Sequence, residues 1–384
     1  MPVHPTLEKD LAALDPALLA RLAAHGFDRA SFLSLAASVT EGDAATRRRT
    51  RNVVKGKVEP PKPGEISPVA VAAEDDARLH ALGEEAMKRG ELAFCTMAGG
   101  MATRMGGIVK ALAEVIPAPS RRTFLDMRLA ENRSASARAG HAVPLWLMTS
   151  DATHDAIVAA LAEAKAPAHV AAFQQNLSLR LAPDGSLFHA PDGAPSVHAT
   201  GHGDLVDALR RSKLLDRFLD TGGKYVWIVN VDNLGASVDA ALLGRFIDSK
   251  KDVQCEVCAK AGDKGGAPVH AAGKLQVLEE FRMPPDFDPT TVPVFNTNTF
   301  LVRAEPLAKQ ALTWTYFEVE KKVDGKPAIQ FERLLQEITA QMPTTYVEVP
   351  REGVASRFLP VKDWEELEKR RATIEVVAAA RGMV

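Results

Sequence analysis

The segment Ala98-Gly99-Gly100-Met101-Ala102-Thr103-Arg104-Met105-Gly106-Gly107, with Lys110 close behind, is the first part of the chain suited to chemistry. Glycines between a strand and a helix let backbone N–H groups come close to a ligand, and such a loop can cradle phosphate. Arg104 and Lys110 add two cations able to meet phosphate oxygens. The segment lacks the GK[ST] ending of a Walker A loop and the GxGxxG spacing of a dinucleotide fingerprint. Alone, it is equally a tight strand-to-helix turn. Further along, Gly201-His202-Gly203-Asp204 either caps a helix through Asp204 or sets backbone and imidazole against a ligand. Asn230-Val231-Asp232-Asn233-Leu234-Gly235 follows the most apolar run of the chain. A carboxylate at the carboxyl end of a central parallel strand lies where open α/β sheets bind ligands. Asp232 there suits Mg²⁺, which takes one or two carboxylates together with substrate phosphates. Asn296 and Asn298, two apart in Phe295-Asn296-Thr297-Asn298-Thr299, would share one face of a strand, where amides can read sugar hydroxyls. Arg357-Phe358-Leu359-Pro360-Val361-Lys362 is a basic pair around a short apolar stretch. Cys255 and Cys258 form a single C-x-x-C with no second pair, whereas structural zinc wants four ligands. On a strand they point to opposite faces, which reads as a buried structural role.

These residues need elements to hold them. ELAFCTMA before the glycine loop, Val143–Ser150, HVAAFQQ, Tyr225–Asp232 and VQCEVCAK read as strands. Helical periods lie between them, through Asp155–Ala164, from Asp204, and near Ala240–Ile247. Strands alternating with helices predict βαβ units and a mostly parallel sheet. KLQVLEE, VPVF and TFLVR lie closer together and suggest antiparallel additions. Helices are expected near Ala328–Gln341 and from about Asp363. The first stretch also reads helical, with Asp15-Pro16 as an N-cap and first-turn proline. Arg47, Arg48, Arg49, Arg51, Lys55 and Lys57, then Pro60, Pro61 and Pro63, read as a solvated linker.

Composition removes several classes of function. The 384 residues carry 47 Lys+Arg against 49 Asp+Glu, a formal charge of −2, so no global field favours nucleic acid or an anionic membrane. No apolar run approaches the ~18 residues of a spanning helix. The first residues lack the basic and apolar regions of a signal peptide. Three cysteines make no disulfide framework, and a reducing cytoplasm is the expected setting.

Taken in order, the clusters resemble the UTP–sugar-1-phosphate uridylyltransferases, above all the UDP-glucose pyrophosphorylases of eukaryotic type. The loop MAGGMATRMGG with its following VK resembles the family's glycine loop. Thr123-Phe124-Leu125-Asp126, Pro144-Leu145-Trp146-Leu147-Met148, Phe173-Gln174-Gln175, GHGD, NVDNLGASVD, Lys260 with Lys264-Gly265-Gly266, FNTN, Ile329-Gln330-Phe331-Glu332 and RFLPVK follow in sequence. GHGD with NxDNLG and FNTN favours the glucose branch over the N-acetylhexosamine branch. Ala102 stands at a usual glycine and no proline precedes Lys110, so Arg104 is expected to share the work of Lys110.

The resemblance implies a Rossmann-like, GT-A-type nucleotidyltransferase fold with a mixed, mostly parallel sheet. It implies the reaction UTP + glucose 1-phosphate ⇌ UDP-glucose + pyrophosphate, assisted by Mg²⁺ on Asp232. It sets Lys110 and Lys362 at the phosphates and His202 at the sugar phosphate. Ala98, Gly99, Gly100, Gln175 and Gly201 would read uracil and ribose. Asn233, Asn296 and Asn298 would hold glucose, and Lys260 would touch phosphate or sugar. Three parts are expected: a helical segment with a basic, proline-containing linker over 1–85, a catalytic domain over 86–345, and a short segment over 346–384. A bacterial member lacking the family's C-terminal β-helical domain is expected, with its oligomeric state open. The readings weighed beside this one are a uridylyltransferase for N-acetylglucosamine 1-phosphate or a broader set of sugar phosphates, and a UDP-sugar-binding homologue without turnover. The missing GxGxxG argues against a dehydrogenase, and only the Arg47–Lys57 run would speak for nucleic acid.

Overall fold

The computed structural model describes residues 3–40, 42–70, 72–263 and 265–384. Four short helices open the chain: α1 (Leu7–Ala12), α2 (Pro16–Ala24), α3 (Arg29–Val39) and α4 (Ala44–Asn52). Asp15 caps α2 as its sequence predicts, accepting from the amides of Ala17 at 2.8 Å and Leu18 at 3.3 Å, with Pro16 in the first turn. Leu7, Leu11, Leu22, Phe32 and Val39 are buried against Leu177, Leu181, Leu187, Ile329 and Phe331. The basic run departs from the solvated linker expected of it. Arg47 makes a two-pronged ion pair with Glu318, both contacts 2.8 Å, and Arg48 meets Glu320 at 2.9 Å. The hairpin Phe317–Val323/Lys326–Glu332 supplies those carboxylates, and its partnership with α4 is invisible in local charge. The proline-containing stretch is likewise built in, since Val58–Glu59 pairs with His270–Ala271 and Ile66–Pro68 enters the main sheet.

Among the described residues that sheet has eight strands: β1 (Ile66–Pro68), β2 (Leu92–Met97), β3 (Leu145–Thr149), β4 (Val170–Gln174), β5 (Tyr225–Asn230), β6 (Val253–Ala259), β7 (Val294–Arg303) and β8 (Thr344–Glu348). Their order is β1-β8-β6-β7-β5-β2-β3-β4. Every neighbouring pair is parallel except the two that involve β7. VPVF and TFLVR, read as separate runs, are this one antiparallel strand. Burial on both faces explains the continuous apolar runs LAFCTM and YVWIV, every residue of which is buried. Cys255 and Cys258 on β6 fall into the two different cores on either side of the sheet, as their spacing predicts. Burial pushes the Cys258 thiol up to about 12, which leaves it protonated and inert.

Helices α5 (Ala73–Lys88), α6 (Phe124–Ala139) and α7 (His154–Glu163) precede α8 (Leu205–Arg211), α9 (Ala240–Ser249) and α10 (Trp364–Ala380). A Cβ at Gly83 would lie 1.9 Å from the Ala240 carbonyl oxygen, and one at Gly244 1.8 Å from that of Leu79. Helices α5 and α9 therefore cross with backbones in direct contact. The helix expected near Ala328–Gln341 is instead a strand, Lys326–Glu332, followed by a 3₁₀ turn, Leu335–Ala340. The reason is the turn Asp324-Gly325, both residues at positive φ, which closes a hairpin onto Phe317–Val323. No helix among the described residues is long and apolar enough to cross a membrane.

Candidate active site

Strand β2 has β3 on one side and β5 on the other, all parallel. The chain moves outward from β2 to β3 and β4, then returns to place β5 against β2's free edge. That reversal opens a crevice at the carboxyl ends of β2 and β5. The glycine loop leaves β2 into it. Met101–Ala102 pairs with Ile108–Val109, and the Lys110 amide donates to the Gly100 carbonyl at 3.1 Å. Gly106 and Gly107, at φ +86° and +75°, supply the left-handed turn at the tip. This small hairpin delivers Lys110 to Asp232, just beyond β5, as a direct ion pair. The pair forms although Val109, not proline, precedes Lys110. Arg104 stays exposed at the tip with no ion-pair partner among the described residues.

Across the crevice the loop meets Gln175, just after β4. A Cβ on Gly99 would fall 2.9 Å from the Gln175 Oε1 and 3.2 Å from the Ser150 amide. Glycine lets the backbone lie against the buried Gln175 amide without displacing it. The Ala98 amide donates to the Met148 carbonyl at 2.7 Å, and Gly100 faces open space. Gly201 sits at φ +90°, and a Cβ there would lie 2.5 Å from the Arg333 carbonyl oxygen. The Leu335 amide donates to the His202 Nδ1 at 3.2 Å. The imidazole proton is thereby assigned to Nε2, and burial lowers the His202 pKa to about 4. His202 is therefore a neutral donor at neutral pH. Asp204 does not cap α8. Its carboxylate accepts from the Thr200 hydroxyl at 2.7 Å and from Arg333 at 2.6 Å, and Arg333 also reaches Asp207 at 2.7 Å. Arg333, unassigned by sequence, is what locks GHGD in place.

The third wall comes from β7. Its register against β6 shifts between Glu256 and Val257, a bulge that turns Asn298 to φ +58°. The Asn298 amide N–H donates to the Asn296 Oδ1 at 2.9 Å, and its Nδ2 donates to the Asn230 Oδ1 at 3.1 Å. The bulge so sets the two asparagines beside the end of β5, two residues before Asp232. Asn233, expected to hold glucose, has its side-chain amide engaged within the protein. It is 1% exposed, its Nδ2 donates to the Arg357 carbonyl at 3.1 Å, and its Oδ1 accepts from the Leu359 amide at 2.8 Å. A Cβ on Gly235 would lie 2.6 Å from the Arg357 carbonyl carbon. Asn233 and Gly235 thus dock RFLPVK onto the loop that carries Asp232. Lys362, about half exposed, meets Asp263 at 3.3 Å, and Asp263 also pairs with Arg351. The Lys260 ammonium contacts Glu280 at 2.8 Å and the Pro289 carbonyl at 3.1 Å. Lys264 lies outside the described residues. Glu279, missed in the sequence, faces Gly266, where a Cβ would lie 2.8 Å from its Oε1. Gly266 in turn accepts from the Asn296 amide at 2.7 Å. Burial, then Glu280, pushes Glu279 up to about 7.

Among the described residues no three His, Cys, Asp or Glu side chains gather as a metal cage. Asp232 alone suits a hard cation that draws its remaining ligands from substrate phosphates and water.

Known proteins are similar to this chain in sequence and in fold. The family described as UTP–glucose-1-phosphate uridylyltransferase matches residues 32–374. A UTP–glucose-1-phosphate uridylyltransferase of Hordeum vulgare is 29% identical over 360 residues, covering 88% of this chain and 72% of the relative. Its counterpart from Musa acuminata is 33% identical over 297 residues, covering 72% of this chain and 62% of the relative. The crystal structure of a UDP-glucose phosphorylase from Trypanosoma brucei shares the fold with a TM-score of 0.72 at 23% identity, covering 92% of this chain and 77% of that one. A Leishmania major UDP-glucose pyrophosphorylase in complex with UDP-glucose superposes with a TM-score of 0.67 at 20% identity, over 95% and 79% of the two chains. With its fold, its ordered motifs and a match over most of its length, the chain belongs to the UTP–glucose-1-phosphate uridylyltransferase family.

Proposed function

We propose that this protein transfers the uridylyl group of UTP to glucose 1-phosphate, giving UDP-glucose and pyrophosphate, in the cytoplasm. The observation that carries the reading is the meeting of Lys110 and Asp232 at the sheet's switch point, between the Gly99–Gln175 wall and the FNTN bulge. The nucleophile is a sugar-phosphate oxygen, ionised near neutral pH, so no general base is required. Positioning and charge stabilisation then do most of the work. Ala98, Gly99, Gly100, Gln175 and Gly201 bind uracil and ribose. Asn296 and Asn298, joined by Glu279, receive the glucose hydroxyls. His202 offers an uncharged Nε2–H to the sugar phosphate. Lys110 balances charge at the α-phosphate, and the exposed Arg104 and Lys362 add positive charge to the phosphates. Mg²⁺, held by Asp232 and the substrate phosphates, would supply further charge neutralisation when bound. Lys260 reaches substrate by leaving Glu280.

The test is pyrophosphate release with UTP, TTP, ATP and GTP crossed with several sugar 1-phosphates. Highest kcat/KM for UTP with glucose 1-phosphate supports the proposal. A preference for N-acetylglucosamine 1-phosphate would move the protein to the other branch, and UTP binding without pyrophosphate release would make it a sensor.

A further inference from the structure

Arg128, on α6, is wholly buried, and most of its hydrogen bonds go to one loop. An arginine has five N–H donors in a fixed planar fork. All five are engaged. Nη1 donates to the Glu131 Oε2 and to the Ala236 carbonyl, both at 2.7 Å. Nη2 donates to the carbonyls of Asn233 at 2.6 Å and Asn230 at 3.0 Å, and Nε to that of Val231 at 3.4 Å. Glu131 neutralises the guanidinium and accepts from the Val238 amide at 3.0 Å. Phe94 of β2 lies under the guanidinium at 5.7 Å. Four carbonyls of one seven-residue turn therefore converge on one side chain, and two of them, at Val231 and Asn233, flank Asp232 directly.

From this geometry we infer that Arg128 is a positioning residue for the Asp232 carboxylate. With its neighbours' carbonyls drawn inward to the guanidinium, the Asp232 side chain is turned outward to Lys110 and the crevice. Residues that orient a metal ligand from behind are commonly worth ten- to hundredfold in metal affinity. No lysine can replace the fork, because its three donors radiate from a single point. The inference rests on the proposed metal role of Asp232.

The experiment reads the gain in UTP affinity on adding Mn²⁺, by isothermal titration without sugar phosphate, so that no turnover enters. Arg128→Lys is expected to cut that gain about tenfold while metal-free UTP affinity stays within twofold. Glu131→Gln, which keeps all four carbonyl contacts, is expected to retain the gain. The double variant Arg128→Gln/Glu131→Gln buries no charge and gives the same reading as Arg128→Lys should the lysine variant fail to fold. A lower melting temperature with an undiminished Mn²⁺ gain would make Arg128 a purely structural residue and overturn the inference. An equal loss in Glu131→Gln would place the effect in the ion pair and overturn it too. Asp232→Asn separates the two levels. If it keeps the full gain, the metal reading itself fails and takes the inference with it; if it loses the gain while Arg128→Lys does not, only the inference falls.

Discussion

Replacing Asn233 with alanine separates two accounts of the same residue. In the sequence it reads as a ligand-binding amide; in the structure it bonds Arg357 and Leu359, 124 and 126 positions further on. Asn233→Ala removes both hydrogen bonds and leaves the Arg357 carbonyl and Leu359 amide buried without their partner. Each of the two orphaned buried groups costs about 1–3 kcal/mol, so the total loss is about 2–6 kcal/mol. With an unfolding entropy of about 2.1 cal/mol/K per residue, 384 residues give about 0.8 kcal/mol/K, and a 3 kcal/mol loss lowers Tm by about 4 °C. RFLPVK would loosen from the Asp232 loop, so kcat should fall while KM for glucose 1-phosphate stays within about threefold, an interaction lost mainly in the transition state. Denaturant unfolding and steady-state kinetics on one preparation measure both quantities. A tenfold rise in KM for glucose 1-phosphate with unchanged stability would refute the docking role and restore the sugar contact.

Three further outcomes follow from the site and its supports. Lys110→Met should fold and lose about 10²–10³ in kcat, as removal of a preorganised charge donor does; a near wild-type rate would remove Lys110 from the chemistry. Glu318→Ala removes the carboxylate that pairs with the buried Arg47 guanidinium and should destabilise the N-terminal helices by up to about 3–5 kcal/mol, read by denaturant unfolding and faster proteolysis before residue 53. His202 has its folded-state pKa lowered from 6.5 to about 4 by burial. Between those values the unfolded chain binds the proton and the folded chain does not, so stability falls as pH drops from 6.5 towards 4. His202→Gln should flatten that acid limb relative to the parent, and an identical pH slope would contradict the burial of a neutral imidazole.

Much of the site was legible because its residues sit at the ends of strands that announce themselves. Leu92–Met97 and Tyr225–Asn230 are buried on both faces, so their apolar runs located the loops of Lys110 and Asp232. What stayed hidden depends on partners far away in sequence. The Arg47–Arg51 run looks like a solvated linker until Glu318 and Glu320 arrive on a hairpin some 270 residues later. The second strand of that hairpin reads as helix when the Asp324-Gly325 turn is not given its weight. Asn233 looks like a ligand reader because nothing local shows that Arg357 and Leu359 cover it. The tautomer of His202 is set by the Leu335 amide, 133 positions away. Arg128 carries no motif, and its five acceptors become visible only when the turn folds around it.

The central claim is that Lys110 and Asp232 act on UTP in the presence of glucose 1-phosphate. The most direct measurement is pyrophosphate release by the parent protein with these two substrates and Mg²⁺, beside Asp232→Asn. The parent should give stoichiometric UDP-glucose and pyrophosphate, and the variant should lose activity with a shifted Mg²⁺ requirement. Full activity in Asp232→Asn with an unchanged Mg²⁺ titration would contradict it.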